Sequence, residues 1–143
     1  REIPEDDLQT GEELGRIDLR FTHGYREDVY FAFECKRLNV VLNGRRRALA
    51  AEYVVQGMMR FITSQYATNL TQGGIIGYIM NGDTTTAVRA VSSRVGRQCQ
   101  ELRISSPSSL CKSSLLPSNK QIKETRHDLE NRKFIIHHIF LPI

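Results

Sequence analysis

Residues 28–36, Asp-Val-Tyr-Phe-Ala-Phe-Glu-Cys-Lys, leave the backbone little choice. Val29, Phe31, Phe33 and Cys35 alternate with Tyr30, Ala32, Glu34 and Lys36, the period-two pattern of an extended strand. Glu34 and Lys36 therefore share a face at the end of an aromatic-rich segment. Strands of this kind are usually buried, and burying charge is costly unless it is paired or binds something. An exposed edge would account for the two charges as well.

Upstream, Ile17, Leu19 and Phe21 alternate with Asp18 and Arg20 from Gly15 onward, which reads as a half-buried strand, and residues 22–27 hold Gly24 as turn material. A hairpin is the expectation. With its turn near Gly24-Tyr25, Asp18 falls opposite about residue 32 and Glu34 on its diagonal, with Cβ atoms about 7–8 Å apart. That gap suits a hydrated divalent cation between two carboxylates. Mg²⁺ prefers oxygen ligands and keeps several waters, and the carbonyl of Cys35 could add one more oxygen. Lys36, on the same face, is placed to orient a water or offset charge developing on a phosphate.

Beyond Lys36, residues 37–47 read as a loop with Asn43-Gly44 and the run Arg45-Arg46-Arg47. Residues 48–67 carry Ala51, Val54, Val55, Met58 and Ile62 at helical spacing, with Glu52, Gln56 and Arg60 as a polar stripe. Gly57 within that helix costs about 1 kcal/mol relative to Ala, which a close approach to the sheet would explain. Residues 73–80, a short apolar run bounded by glycines, read as a strand covered on both faces. Asp83 or Thr84 caps a helix running to about Leu102. Residues 103–133 read as an irregular excursion with a short strand near Leu115, and 134–143 as a closing strand. Residues 1–14, with Pro4 and several acids, read as a short helix or an arm. The order predicts one α/β domain over 1–143, a mixed sheet flanked by helices.

Composition narrows this only modestly. With 143 residues, 40% hydrophobic and 25% charged, the chain has room for one core, and its formal charge of +4 is compatible with a polyanionic partner without requiring one. Cys35, Cys99 and Cys111 form no C-x-x-C pair, so neither a zinc site nor a disulfide framework is indicated and a cytoplasmic location is the expectation. No apolar run is long enough to span a membrane. The chain does not begin with Met and is compatible with being an excerpt of a longer protein.

Asp18 followed by Glu34-Cys35-Lys36, with a helix behind, resembles the core motif of the PD-(D/E)XK nuclease superfamily, the restriction-endonuclease-like fold. The resemblance covers about residues 15–80, with Ile17 where the family name has Pro. It implies Mg²⁺-dependent phosphodiester hydrolysis, with Mn²⁺ as a substitute ion, Asp18 and Glu34 as metal ligands and Lys36 positioning the attacking water. It further implies DNA rather than RNA as substrate, and a setting in bacterial restriction, antiviral defence or DNA processing. Family members often add an acid from an N-terminal helix; Glu5, Glu12 and Glu13 are equally eligible. Gln56 and Arg60 occupy the helix position where some members face polar groups to the site, Arg60 suiting a phosphate and Gln56 a water.

Arg45, Arg46 and Arg47 suit phosphate contacts, or form a solvated loop. His137 and His138 face opposite sides of their strand and read as packed or edge histidines, while His127 has no assigned place. Cys35 points with the apolar face and is a poor nucleophile. Gly73, Gly74 and Gly77 do not make a phosphate-binding loop. Three functions remain open: a metal-dependent nuclease, a catalytically silent scaffold subunit of the same fold, and a nucleic-acid binder without chemistry. Homodimer or subunit of a larger complex is left open too.

Overall fold

The computed structural model describes residues 3–6, 13–63, 69–105 and 107–143; the side chains described begin at Asp18 and leave out His23 and residues 26–29. The N-terminal region contributes strands rather than a helix, since Ile3–Asp6 (β1) and Glu13–Ile17 (β2) pair antiparallel with Ile3 opposite Ile17. Pro4 is tolerated there because a two-stranded ribbon leaves its missing N–H on an edge.

Asp18 forms a bend, and the chain continues as β3 (Leu19–His23), turns at Gly24-Tyr25, and returns as β4 (Arg26–Leu38). Gly24 supplies the positive φ of that turn, 58°. The single strand expected from Gly15 to Phe21 is thus two, split at Asp18. After β4 comes a second hairpin where a loop was expected, β5 (Val40–Leu42) and β6 (Arg45–Arg47). Asn43 and Gly44 both have positive φ, 51° and 74°, as an Asn-Gly turn between two paired strands requires.

The helix expected over 48–67 spans 50–62 and is not uniform. Ala50–Tyr53 (α1) passes through a π-helical turn, Val54–Met58, into Met59–Ile62 (α2). Then follow β7 (Gln72–Ile79) and α3 (Thr84–Arg97), the latter capped by Asp83, whose carboxylate accepts the Thr86 N–H at 3.1 Å. The region expected to be irregular contains β8 (Cys111–Lys112) and β9 (Ile122–Asp128), and β10 (Lys133–Pro142) closes the chain.

Six strands make one mixed sheet in the order β3-β4-β7-β10-β9-β8, with β4, β7 and β10 parallel and the flanking strands antiparallel. Tyr53, Val54, Met58, Phe61, Ala87, Val91 and Val95 from the helices are buried against Ala32, Leu38, Ile75, Ile79, Phe134, Ile136 and Phe140 of the sheet. Because α3 packs on α1 as well as on β10, the helices occupy one side. The second side, with Phe21, Phe31, Phe33, Ile76 and Tyr78, carries no helix among the described residues, so β7 is not sandwiched as its apolar run suggested. The architecture is a mixed α/β layer pair.

Glycines in β7 set how closely the layers approach. A Cβ on Gly73 would lie 2.5 Å from the Phe61 ring and one on Gly77 2.8 Å from Leu38, so both sheet positions are filled by neighbouring side chains.

Candidate functional site

Antiparallel pairing of Leu19 with Phe33 and Arg20 with Ala32 carries the register to Asp18 level with Glu34, two residues along from the residue 32 expected opposite it from the turn. The bend lets the Asp18 carboxylate stand in for a strand acceptor, and its Oδ2 takes the Cys35 N–H at 2.6 Å. Charge-assisted bonds of this kind are short and strong. Asp18 Oδ1 makes no hydrogen bond among the described residues.

Glu34 is fully buried on the helix-covered face. Its Oε1 accepts from the Lys36 ammonium and, at 3.0 Å, from Arg60 Nη1 on α2. A buried carboxylate requires a partner, since an uncompensated one costs several kcal/mol; Lys36 and Arg60 are among those of Glu34. The π-helical turn makes this possible by laying Gly57 over Lys36. A Cβ at Gly57 would be 3.5 Å from both Lys36 Cγ and Ile75 Cδ1, so the helix rests on the aliphatic stem of the lysine. A single π turn within a helix often marks a functional site. Here it accommodates Lys36 and carries Arg60 to Glu34.

Asp18 and Glu34 supply carboxylate oxygens, and Lys36 and Arg60 supply cations suited to an anionic phosphodiester. Among the described residues no three His, Cys, Asp or Glu side chains are gathered as metal ligands. An ion would rest on the two carboxylates and on main-chain or water oxygens, a sparse hard-oxygen set of the sort Mg²⁺ takes. On that chemistry the residues fit the ion.

On the opposite face of β4, burial first and then the neighbouring Asp18 carboxylate push the Cys35 thiol up, against a smaller lowering by Tyr78. Tyr78 is raised in turn, chiefly by Cys35. Cys35 stays a protonated thiol at neutral pH, in keeping with its poor nucleophilicity.

The other expected site residues lie elsewhere. Gln56 is exposed on the π turn and hydrogen-bonds none of the four charged groups. Arg46 Nη1 donates to Asn39 Oδ1 at 3.0 Å, and Asn39 in turn donates to Asn81 and to the Asp83 carbonyl, so Arg46 braces the approach to α3 instead of Glu34. Arg45 and Arg47 are exposed on β6. Glu12, and the side chains of Glu5 and Glu13, lie outside the described residues. Sequence reasoning missed Tyr78 and the π turn; Gly57 inside an otherwise regular apolar stripe was the one signal of the latter.

Three of the four histidines are placed by the sheet. His127 and His138 sit on the helix-covered face in one buried chain of hydrogen bonds. His127 Nδ1 reaches the Leu102 carbonyl at 2.6 Å, its Nε2 meets Thr125 Oγ1 at 2.7 Å, that oxygen meets His138 Nε2 at 2.9 Å, and His138 Nδ1 meets the Tyr53 hydroxyl at 2.8 Å. A carbonyl only accepts, so the protons are fixed in sequence: His127 carries Nδ1–H, Thr125 donates to His127, His138 carries Nε2–H, and Tyr53 donates to His138. Burial pushes His127 down to about 4 and His138 down to about 3, leaving both neutral. His137, on the other face, donates its Nε2–H to Gln72 Oε1 at 2.7 Å.

The chain matches no family model, no curated protein and no solved structure. What the fold and site define is a class only: a mixed α/β layer pair in which buried Glu34 is paired with Lys36 and Arg60, while the Asp18 carboxylate takes the neighbouring Cys35 N–H.

Proposed function

We propose that the protein is a Mg²⁺-dependent nuclease of the restriction-endonuclease-like type, hydrolysing phosphodiester bonds with DNA as the expected substrate. The observation that carries this reading is the meeting of Asp18 with the Cys35 N–H at the level of Glu34, while Lys36 and Arg60 converge on Glu34. Asp18, Glu34 and the Cys35 carbonyl would hold the ion, with Mn²⁺ as a substitute; when bound it would supply Lewis-acid polarisation and a more acidic water.

The remaining chemistry falls to the chain itself. Lys36, anchored at Glu34, holds an ammonium where a water oxygen can accept from it before attacking phosphorus. Water forms the new P–O bond and releases a proton to solvent, the bond to the leaving oxygen breaks and that oxygen takes up a proton from solvent, and the cationic Lys36 and Arg60 offset charge on the phosphoryl oxygens. Burial of Glu34 keeps these interactions in a low-dielectric setting. Bacterial restriction or antiviral defence is the biological setting that the resemblance suggests.

Purified protein incubated with linear, circular and single-stranded DNA, and with RNA, in Mg²⁺, Mn²⁺ or EDTA tests the reading. Ion-dependent cleavage lost in Asp18→Asn, Glu34→Gln and Lys36→Ala, each with an unchanged circular dichroism spectrum, is the expected result. Cleavage retained in Glu34→Gln overturns the reading of this site, and no cleavage of any substrate with either ion overturns it in favour of a silent scaffold.

A further inference from the structure

A groove of about 730 Å³ lies between α3 and the β8–β9 edge of the sheet, away from the carboxylate cluster. Its helix wall is legible as a repeat of four, Thr85, Arg89 and Ser93, and its sheet wall is Lys112, Lys120 and Lys123. No acid lines it. Lys112, Lys120 and Lys123 make no ion pair among the described residues, unlike Lys36, Lys133 and Arg126, whose charges are matched. Four cations therefore line one groove with no acid among the lining residues. Arg89 has the Asp83 carboxylate within electrostatic reach, but the three lysines make no ion pair among the described residues, and an anionic occupant relieves their mutual repulsion.

The pairing places the groove. Glu34 pairs with Ile75, Ile75 with His138 and His138 with Lys123, so Lys123 stands level with Glu34 three strand spacings away, about 14 Å. Helices fill the interval.

We propose that this groove is a binding site for a phosphate-bearing ligand, either the backbone of a nucleic-acid strand or a nucleotide, held by the three lysines and Arg89 with hydroxyl donors from Thr85 and Ser93. The site is independent of the catalytic reading, because phosphate binding there needs neither a metal nor the Asp18–Glu34 pair.

The test is fluorescence anisotropy with a labelled single-stranded oligonucleotide in EDTA, across a salt series, so that cleavage plays no part. Lys112→Ala/Lys120→Ala/Lys123→Ala is expected to weaken binding about tenfold or more and to lower the slope of log K against log salt by about 2, since each phosphate contact on a single strand contributes about 0.7. Arg89→Gln and Lys120→Gln, on exposed side chains, are each expected to lower it by about 0.7 and keep the test open if the triple variant does not fold. Competition with ATP separates the sources: displacement assigns the groove to a compact nucleotide, and persistence assigns it to an extended backbone. Equal affinity and slope in wild type and folded variants, for both oligonucleotide and ATP, overturns the proposal.

Discussion

Acid should unfold this protein through its buried histidines well before its carboxylates protonate. His127 and His138 have folded values of about 4 and about 3 against an ordinary 6.5, with burial as the first cause in both. Because the folded values lie below the unfolded one, the unfolded chain takes up protons first. The stability is whole above pH 6.5 and drains as pH falls toward 4 and 3. At pH 5 each histidine has forfeited about 1.5 pH units at 1.36 kcal/mol per unit, about 2 kcal/mol, and the pair about 4 kcal/mol. That is a large part of the 5–15 kcal/mol typical of a domain. His137, lowered as well by burial, acts in the same sense. Carboxylates contribute little above pH 5, because their unfolded values lie near 4, so the window from pH 7.5 to 5 isolates the imidazoles. Urea unfolding at the two pH values is expected to show the loss, roughly halved in His138→Gln, whose amide can still donate to Thr125. Imidazole ¹⁵N spectra at pH 6 are expected to show neutral His127 as the Nδ1–H tautomer and His138 as the Nε2–H tautomer. A fall of less than about 1 kcal/mol, or a ring of either residue titrating near 6.5, refutes the reasoning.

Further outcomes follow from the same packing. Thr125→Val strips the middle of the buried chain and leaves two ring nitrogens without partners, an expected cost of about 2–4 kcal/mol in urea unfolding, against about 1–2 for Tyr53→Phe at its end. Gly73→Ala drives a methyl to 2.5 Å from Phe61 and is expected to cost about 1–3 kcal/mol, whereas Gly57→Ala meets its neighbours at 3.5 Å and is expected to be neutral or stabilising by up to about 1 kcal/mol. Lys36→Met removes one of the cations that compensate buried Glu34 and is expected to lower the thermal midpoint by several degrees, a loss smaller in the Glu34→Gln background, where no buried charge remains to be compensated.

Elements whose inward residues are apolar were legible in the sequence. The aromatic alternation of β4, the Asp83 cap and apolar stripe of α3, and the β-branched run of β10 each name their structure. β9 did not, for a physical reason: its inward residues are Thr125 and His127, polar groups satisfied by one another and by His138 and Leu102, so the strand carries no hydrophobic period. The β5–β6 hairpin was missed because an arginine run obscures an Asn-Gly turn. At the candidate site, the shared face of Glu34 and Lys36 follows from their spacing, and the four-residue stripe carried Arg60 toward the sheet. Gln56 belongs to the same stripe yet is exposed, because the π turn rotates it away. Asp18 was placed two residues out of register, since nothing in residues 15–21 announces a bend.

That bend gives Asp18 a second job. Its carboxylate occupies the seat of a main-chain carbonyl in the β3–β4 ladder, so the residue serves as mortar as well as tool. Alanine there would unzip the rung and blur any loss of activity with fraying, while asparagine, which keeps an amide oxygen to accept the Cys35 N–H, would remove the charge and spare the seam.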